Sequence, residues 1–258
     1  MPVERFELIP QIWGQALRAP GLAAVADHFF TTRQLRLRGA GVEVRDWAQV
    51  ARAIGVEPER LLRPRQVHGR EVVAVTGADL RRFSDGARPD ADVVITDDPS
   101  LALAVQVADC VPVLMADRRT GAVAAAHAGW RGTAAGVLQA AVASLASHFG
   151  ARACDLVAAL GPSIGPCCYA VGQDVADAFA AAGHAPASIG RWFSRGSDGR
   201  YLLDMWSATC DQLTGAGVAP EHIHAARLCT AHDPGRFFSH RVEGSGTGRM
   251  AAVIRIRS

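Results

Sequence analysis

The side chains best suited to chemistry in this sequence are one cysteine and two histidines that lie far apart along the chain. Cys110 follows the apolar run 101–107, LALAVQV, His127 follows the run 122–126, AVAAA, and His68 lies in a basic loop. Short apolar runs bounded by turn residues are typical of buried strands. A thiolate and two imidazoles that meet at strand ends suit a tetrahedral zinc ion with one open position, which is the catalytic arrangement.

Two other interpretations of these residues stay open on spacing alone. Cys110 and His127 could act as a nucleophile and its base without a metal, with Asp109 or a backbone carbonyl orienting the imidazole. The polar turn 117–121 between the apolar segments permits that contact. The alternative is a buried cysteine with two ordinary histidines, because cysteine is among the most buried residue types.

A serine offers a separate hypothesis. The segment 161–165, GPSIG, fits the G-x-S-x-G pattern after a predicted strand, and the order Ser163, Asp204, then His232 or His240 would suit a hydrolase triad. A nucleophile elbow needs a helix to begin directly after the serine, whereas a proline and two cysteines follow here. We therefore favour a structural turn at Ser163.

Composition limits the class of protein. The chain has 258 residues with 49% hydrophobic and 20% charged side chains, which fits a soluble globular protein. No run approaches the roughly 18 apolar residues of a membrane span. The start of the chain, MPVERFELIP, lacks the form of a signal peptide, so we expect a cytoplasmic protein. Six cysteines in such a protein are expected to be free thiols or metal ligands.

The basic residues exclude further functions. The sequence contains no lysine, which excludes Schiff bases, the phosphate-loop lysine and Ser-Lys pairs. A formal net charge of +2, with arginines spread along the chain, argues against nucleic acid as a partner. The glycine-rich segment 244–249 precedes a predicted strand and not a helix, which argues against a dinucleotide loop, and an anion-binding loop with Arg241 and Arg249 stays open.

The apolar patterns predict one mixed α/β domain over residues 1–258. Helices are predicted over 46–55 with Asp46 as N-cap, from Thr133 as N-cap to 149, over 173–183 and over 201–217. Strands are predicted between them and at 250–257, with an irregular loop over 189–200. No internal repeat of 20–50 residues is visible.

Several motifs together resemble the YfiH/PgeF family, once called the multicopper polyphenol oxidoreductase or laccase-like family. The resemblance covers about residues 65–258. The matching segments are RQVHG (65–69), ADVVITDDPSLALAVQVADCVPVLMAD (91–117), AAAHAGWRGTAAGV (124–137), GPSIGPCCYAVG (161–172), LCT (228–230), FFSHR (237–241) and TGR (247–249). In that family the histidine of VHG, the cysteine of ADC and the histidine of HAGWRG form the metal site. These match His68, Cys110 and His127.

The resemblance implies a four-layer α/β/β/α fold with mixed sheets, shared with the catalytic domain of cytotoxic necrotizing factor. It implies zinc, with copper reported, and purine nucleoside phosphorylase activity with adenosine deaminase and methylthioadenosine phosphorylase activities. Polyphenol oxidation and a role with cell-wall precursors have also been assigned to the family. We accordingly expect purine nucleoside and phosphate as substrates, and a monomer.

These substrates suggest roles for four further residues. Arg131, Arg241 and Arg249 are expected to bind phosphate oxygens through their forked donors. Tyr169 is expected to stack on the base. A copper-dependent phenol oxidase, a metal-free Cys-His hydrolase and a non-enzymatic metal or redox sensor using the adjacent Cys167 and Cys168 remain as alternatives.

The first 60 residues depart from the family pattern. The family usually has a Thr-Arg-Gly-Gly-Val-Ser loop followed by Ser-Leu-Asn. In this sequence Thr32 and Arg33 are followed by QLRLRGAG, and the chain contains no asparagine. If that loop helps to bind substrate, specificity differs here from that of the family.

Overall fold

Two mixed six-stranded sheets hold the chain together. The computed structural model describes residues 5–38, 43–80, 88–196 and 199–257. Sheet one is antiparallel except at its last pair, and in spatial order it contains β1 (Glu7–Gln11), β2 (Gly14–Arg18), β3 (Ala26–Thr31), β15 (Met250–Ile256), β7 (Ala102–Val107) and β4 (Leu61–Leu62). It therefore joins both ends of the described chain to the central segment.

Sheet two is antiparallel at its centre and parallel at both outer pairs. In spatial order it contains β14 (Ile223–Ala225), β10 (Leu156–Leu160), β8 (Val111–Asp117), β9 (Val123–Ala128), β6 (Val93–Thr96) and β5 (Val72–Ala74). A small third sheet contains β11 (Ala170–Val171), β13 (Tyr201–Leu203) and β12 (Phe193–Arg195).

The described helices are α1 (Pro20–Ala23), α2 (Glu43–Ile54), α3 (Trp130–Ala134), α4 (Val137–Phe149), α5 (Gln173–Ala181), α6 (Pro186–Trp192), α7 (Met205–Gly215) and α8 (His240–Glu243). Helix α2 buries Trp47 and Val50 against the outer face of sheet one. Helices α4 and α7 bury Leu138 and Leu213 against the outer face of sheet two. The helices thus form the two outer layers.

Strand β8 shows how alternation builds the layers. Val113 and Met115 face the helices of the outer layer, whereas Leu114 and Ala116 face the core between the two sheets. Successive strand residues point to opposite faces, so a strand buried on both sides is apolar throughout. This confirms the expected four-layer α/β/β/α sandwich with mixed sheets.

Several predicted boundaries were wrong because local capping divides the apolar patterns. The helix expected from Thr133 to 149 is two helices separated by Gly136, whose φ of 84° breaks the helical path. Thr133 lies inside α3 and Asp46 inside α2, so neither is an N-cap.

The segments 189–200 and 201–217 differ from expectation in the same way. The first contains the end of α6 and β12 instead of an irregular loop, and its residues 197–198 lie outside the described residues. The second is β13 followed by α7, because the carboxylate of Asp204 accepts a hydrogen bond from Ser207 N at 3.0 Å and caps the helix there.

Helix α3 packs closely on the loop that carries His68. A Cβ added to Gly132 would lie 2.6 Å from the carbonyl oxygen of Gly69, a contact that requires a backbone shift. The absence of a side chain at Gly132 therefore sets the distance between the end of β9 and the His68 loop.

Replacing Gly132 by alanine tests this close packing. We expect the overpacked Gly132→Ala variant to lose about 1–3 kcal/mol of unfolding free energy, which lowers the melting temperature by about 2–4 °C per kcal/mol in a chain of this size. Gly190→Ala is the control, because Gly190 is exposed in α6 and its added Cβ has no neighbour within 4 Å. Equal melting temperatures for both variants, measured by calorimetry, would contradict the packing.

Candidate functional site

The structure brings His68, Cys110 and His127 together at one end of sheet two. Their potential donor atoms all lie within 4.8 Å of one another, and the two imidazole rings are nearly perpendicular with centroids 4.8 Å apart. The β8–β9 hairpin causes this, since Pro112 is paired with His127 and Cys110 directly precedes β8. His127 is buried, Cys110 is partly buried and His68 is exposed, so one side of the cluster opens to solvent.

Unusual backbone geometry shapes the cluster. His68 and Asp109 have φ angles of 61° and 85°, in the left-handed region that side chains other than glycine seldom adopt. Gly129 leaves space beside the donors, because an added Cβ would lie 3.2 Å from both the sulfur of Cys110 and Cδ2 of His68. The backbone is therefore locally strained next to the cluster, and this geometry allows the side chains of His68, Cys110 and His127 to converge.

A buried carboxylate, that of Asp92, orients the cluster. Its Oδ1 is 2.8 Å from Nδ1 of His127 and accepts a hydrogen bond from His68 N at 3.0 Å. Its Oδ2 accepts from Gly69 N at 2.6 Å and from Val67 N at 3.3 Å. With Nδ1 engaged by Asp92, the Nε2 atom of His127 faces the Cys110 thiol and is the atom that would bind a metal, a common arrangement around metal-bound histidines.

Sequence reasoning named Asp109 instead of Asp92 as the residue that orients the imidazole. The Asp109 carboxylate accepts hydrogen bonds from Thr230 Oγ1 at 2.6 Å and from Arg241 N at 2.7 Å. It therefore joins two loops near the cluster. Asp92 had one available signal, a carboxylate directly before a buried strand, but no local pattern indicates that it contacts His127.

The charges of Cys110 and His127 support each other. Burial alone raises the pKa of the Cys110 thiol, but the positive charge of His127 and its hydrogen bond bring that pKa down to about 6. Burial alone lowers the pKa of His127, but the Cys110 thiolate and the Asp92 hydrogen bond raise it to about 9. Without a metal, the pair is therefore a thiolate and an imidazolium near neutral pH.

The cluster lies at the wall of a cavity of about 540 Å³. Five arginines contribute to this wall, together with His240, Tyr169 and Asp109; the arginines are Arg38, Arg65, Arg88, Arg241 and Arg249. Asp109 is the only carboxylate among the described lining residues, and both its oxygens accept hydrogen bonds from the protein. The cavity is consequently suited to an anion.

The predicted substrate-binding residues separate into two groups. Tyr169, Arg241 and Arg249 line the cavity, and the Arg241 guanidinium lies 5.1 Å from the centre of the Tyr169 ring. Burial raises the pKa of Tyr169, which keeps its hydroxyl protonated. Arg131 is exposed and lies over the ring of Trp130 at 4.3 Å, and it is not among the described residues that line the cavity.

The N-terminal segment contributes a residue that sequence reasoning missed. Leu37 N donates to the carbonyl of Arg249 at 3.1 Å, and the Leu37 carbonyl accepts from Gln106 Nε2 at 2.8 Å. These bonds bring Arg38 to the cavity beside Arg249. Residues 1–4 and 39–42 of the divergent first 60 residues lie outside the described residues.

Ser163 is part of a structural turn, as expected. It is fully buried, and its hydroxyl accepts a hydrogen bond from Trp206 Nε1 at 2.8 Å. Asp204, the proposed acid of a serine triad, caps α7 instead. A substrate therefore has no access to the Ser163 hydroxyl.

The chain matches the family model described as multi-copper polyphenol oxidoreductase laccase over residues 41–257. It belongs to this family. Its relatives include YlmD of Geobacillus stearothermophilus, which is 38% identical over 199 residues, covering 76% of this chain and 72% of YlmD. YfiH of Escherichia coli is 38% identical over 202 residues, covering 78% of this chain and 76% of YfiH. Both relatives are named purine nucleoside phosphorylases.

The fold agrees with that of solved members of the laccase-like family. The crystal structure of YfiH from Bacillus licheniformis aligns with a TM-score of 0.86 at 29% identity, covering 98% of this chain and 99% of that protein. The expected family and fold are thereby confirmed. Within the described ranges, no helix combines the length and apolar character needed to cross a membrane.

Titration of Cys110 tests the electrostatics of the site. In metal-stripped protein, the difference in thiolate ultraviolet absorbance between the parent and Cys110→Ala should show ionisation near pH 6. His127→Ala should move this transition to higher pH, because His68 alone then opposes the effect of burial on the Cys110 pKa. The same difference for Cys210→Ala is the control and should appear near pH 11, where burial places that thiol. Ionisation of Cys110 at or above pH 9 in the parent would contradict the ion pair.

Proposed function

We propose that this chain is a zinc-dependent purine nucleoside phosphorylase. The observation that carries the proposal is a Cys-His-His cluster that opens into an arginine-lined cavity. The names of the relatives support the same reaction class. In this reaction a phosphate oxygen attacks C1′ of the ribose and the purine leaves, so the site must bind a dianion and a nucleoside together.

Phosphate binding is assigned to the arginines of the cavity. Burial and the nearby positive charge of Arg38 both lower the pKa of Arg249. An anion bound between these two guanidinium groups would reduce their mutual repulsion. Its oxygens would also replace the hydrogen bonds to water that the arginines lose on burial. The Arg241 guanidinium is fixed by its bond to the Ala170 carbonyl at 2.8 Å, and it extends the same positive wall.

The donor set of His68, Cys110 and His127 fits a zinc ion with one open position. Such donors select zinc or copper, and three protein ligands are typical of catalytic zinc. Bound there, zinc would act as a Lewis acid toward a phosphate or water oxygen. Asp92 fixes the orientation of His127, and Gly129 keeps the space beside the donors open for substrate.

The base is assigned to the side of the cavity formed by Tyr169. Its ring offers an apolar face for a purine, and the nearby Arg241 guanidinium holds that ring in place. A volume of about 540 Å³ lies in the range of small-molecule sites and accommodates a nucleoside with phosphate.

The lining favours phosphorolysis over deamination. Zinc nucleobase deaminases use a free glutamate that transfers protons and does not bind the metal. Asp109 is the only described carboxylate in the lining, and hydrogen bonds from Thr230 and Arg241 occupy it. Adenosine deamination is therefore proposed as a secondary activity, and methylthioadenosine is proposed as an additional phosphorolysis substrate.

Copper-dependent oxidation of phenols is the second candidate, because the family description names it. Multi-electron reduction of oxygen needs several copper ions held mainly by histidines. Among the described residues, the two candidate metal groups contain only three histidines between them. Oxygen consumption with a phenol substrate, measured on copper-loaded protein, distinguishes this activity from phosphorolysis.

The proposed metal site is tested through Cys110. Cys110→Ala should lose one equivalent of zinc and phosphate-dependent release of purine from a panel of inosine, guanosine, adenosine and methylthioadenosine. Cys154→Ala is the control, because Cys154 is an exposed thiol outside both metal groups. Retention of the parent zinc content by Cys110→Ala, or purine release that does not depend on phosphate, would reject the proposal.

Phosphate binding is tested by comparing two arginines. A charge-assisted hydrogen bond contributes about 1.5–3 kcal/mol, so Arg249→Ala should raise the Michaelis constant for phosphate about ten- to a hundredfold. Zinc content should be unchanged in this variant. The sequence also predicts a phosphate contact for Arg131, and an unchanged Michaelis constant in Arg131→Ala would remove that residue from the site. An unchanged Michaelis constant for phosphate in Arg249→Ala would show that Arg249 does not bind phosphate.

A further inference from the structure

A second group of metal-binding side chains lies outside the arginine-lined cavity. The sulfurs of Cys167 and Cys168 and a ring nitrogen of His232 lie within 4.8 Å of one another. The two sulfurs are 3.4 Å apart, without a disulfide bond. The thiol of Cys229 contacts both of these cysteines. Cys167 and Cys168 therefore lie between the His232 ring on one side and the Cys229 thiol on the other, at a place that the nucleoside chemistry does not use.

Backbone pairing between two loops creates this meeting point. Ser163 N donates to the Leu228 carbonyl at 3.1 Å, and Thr230 N donates to the Ser163 carbonyl at 3.1 Å. Gly165 N then donates to the sulfur of Cys229 at 3.2 Å. Only glycine fits at position 165 in this arrangement, because a Cβ there would lie 2.5 Å from the Trp206 ring.

We propose that Cys167, Cys168, Cys229 and His232 bind a second metal ion of the zinc class. Three cysteines and one histidine form a closed, four-coordinate set that is typical of structural zinc. Zinc–sulfur bonds of about 2.3 Å place the sulfurs of a tetrahedral site about 3.8 Å apart, close to the spacing of Cys167 and Cys168. The first cluster has three donors and an open position, so the two sites differ in their chemistry.

The surroundings of the Cys229 sulfur also suit a metal thiolate. Backbone N–H groups of Gly165, His232 and Ala231 are directed at this sulfur. N–H groups directed at a sulfur are typical partners of metal thiolates. Three neighbouring thiols ionise together only when a cation compensates their charge.

The second ion would hold together two loops that form or support the wall of the first site. Cys168 is followed directly by Tyr169, which lines the cavity, and Cys229 is followed by Thr230, which donates to Asp109. A metal bond between these two loops would therefore fix the position of Tyr169 relative to Asp109. Cys167 and His232 are exposed, so the ion has access without an opening of the fold.

Metal content measured by mass spectrometry tests the proposal on the full-length protein purified with zinc under reducing conditions. The parent should contain about two zinc ions per chain, and Cys110→Ala should retain about one, in a closed site. Cys167→Ser, a change at an exposed position, should also retain about one and keep the first site. Cys154→Ser is the matched control and should retain about two.

Cobalt substitution shows which donors hold the retained ion. In the Cys110→Ala background, cobalt should give intense thiolate charge-transfer absorption that weakens when Cys229 or Cys167 is changed to serine. Absence of metal from Cys110→Ala, or equal metal content in Cys167→Ser and Cys154→Ser, would overturn the second site. A mass lowered by two hydrogens in metal-free parent protein, assigned by peptide mapping to a bond among these cysteines, would identify a disulfide in its place.

Discussion

The hydrogen bonds of Asp92 are the constraint on which the site depends. A fully buried carboxylate is costly unless its lone pairs are satisfied. Asp92 meets this requirement with the imidazole of His127 and the backbone N–H groups of residues 67–69. One side chain therefore joins a strand of sheet two to the loop of His68. The left-handed backbone of His68 is maintained because these bonds hold it.

Two sources of charge meet in the cavity. Two of the three donors are fixed by β8 and β9, whose residues are all buried, because Cys110 directly precedes β8 and His127 lies in β9. Four of the cavity arginines lie in loops, and Arg241 lies in α8. The positions of Cys110 and His127 therefore depend on strand pairing, whereas the anion-binding surface lies mainly on loops, which is the usual division between scaffold and function.

The sequence allowed the central features to be predicted because they depend on local patterns. The apolar runs around Cys110 and His127 indicated a strand-turn-strand unit, and that unit brings the two residues together. Features that depend on long-range contacts were missed. Asp92 lies 35 positions from His127, and no periodicity connects them. Arg38 reaches the cavity through pairing with a strand end more than two hundred positions away along the chain. The break at Gly136 was missed because the helical pattern continues on both sides.

The pairing of Leu37 with Arg249 separates the residues that shape the cavity wall from those that position the donors. The hydrogen bonds of Leu37 go to Arg249 and Gln106, and they place Arg38 in the wall. A change of side chain at Arg38 would therefore alter the shape and charge of the wall, while Asp92 would keep its bond to His127. The entrance can in this way be remodelled from the N-terminal part of the chain without a change in the buried strands that carry the reactive groups.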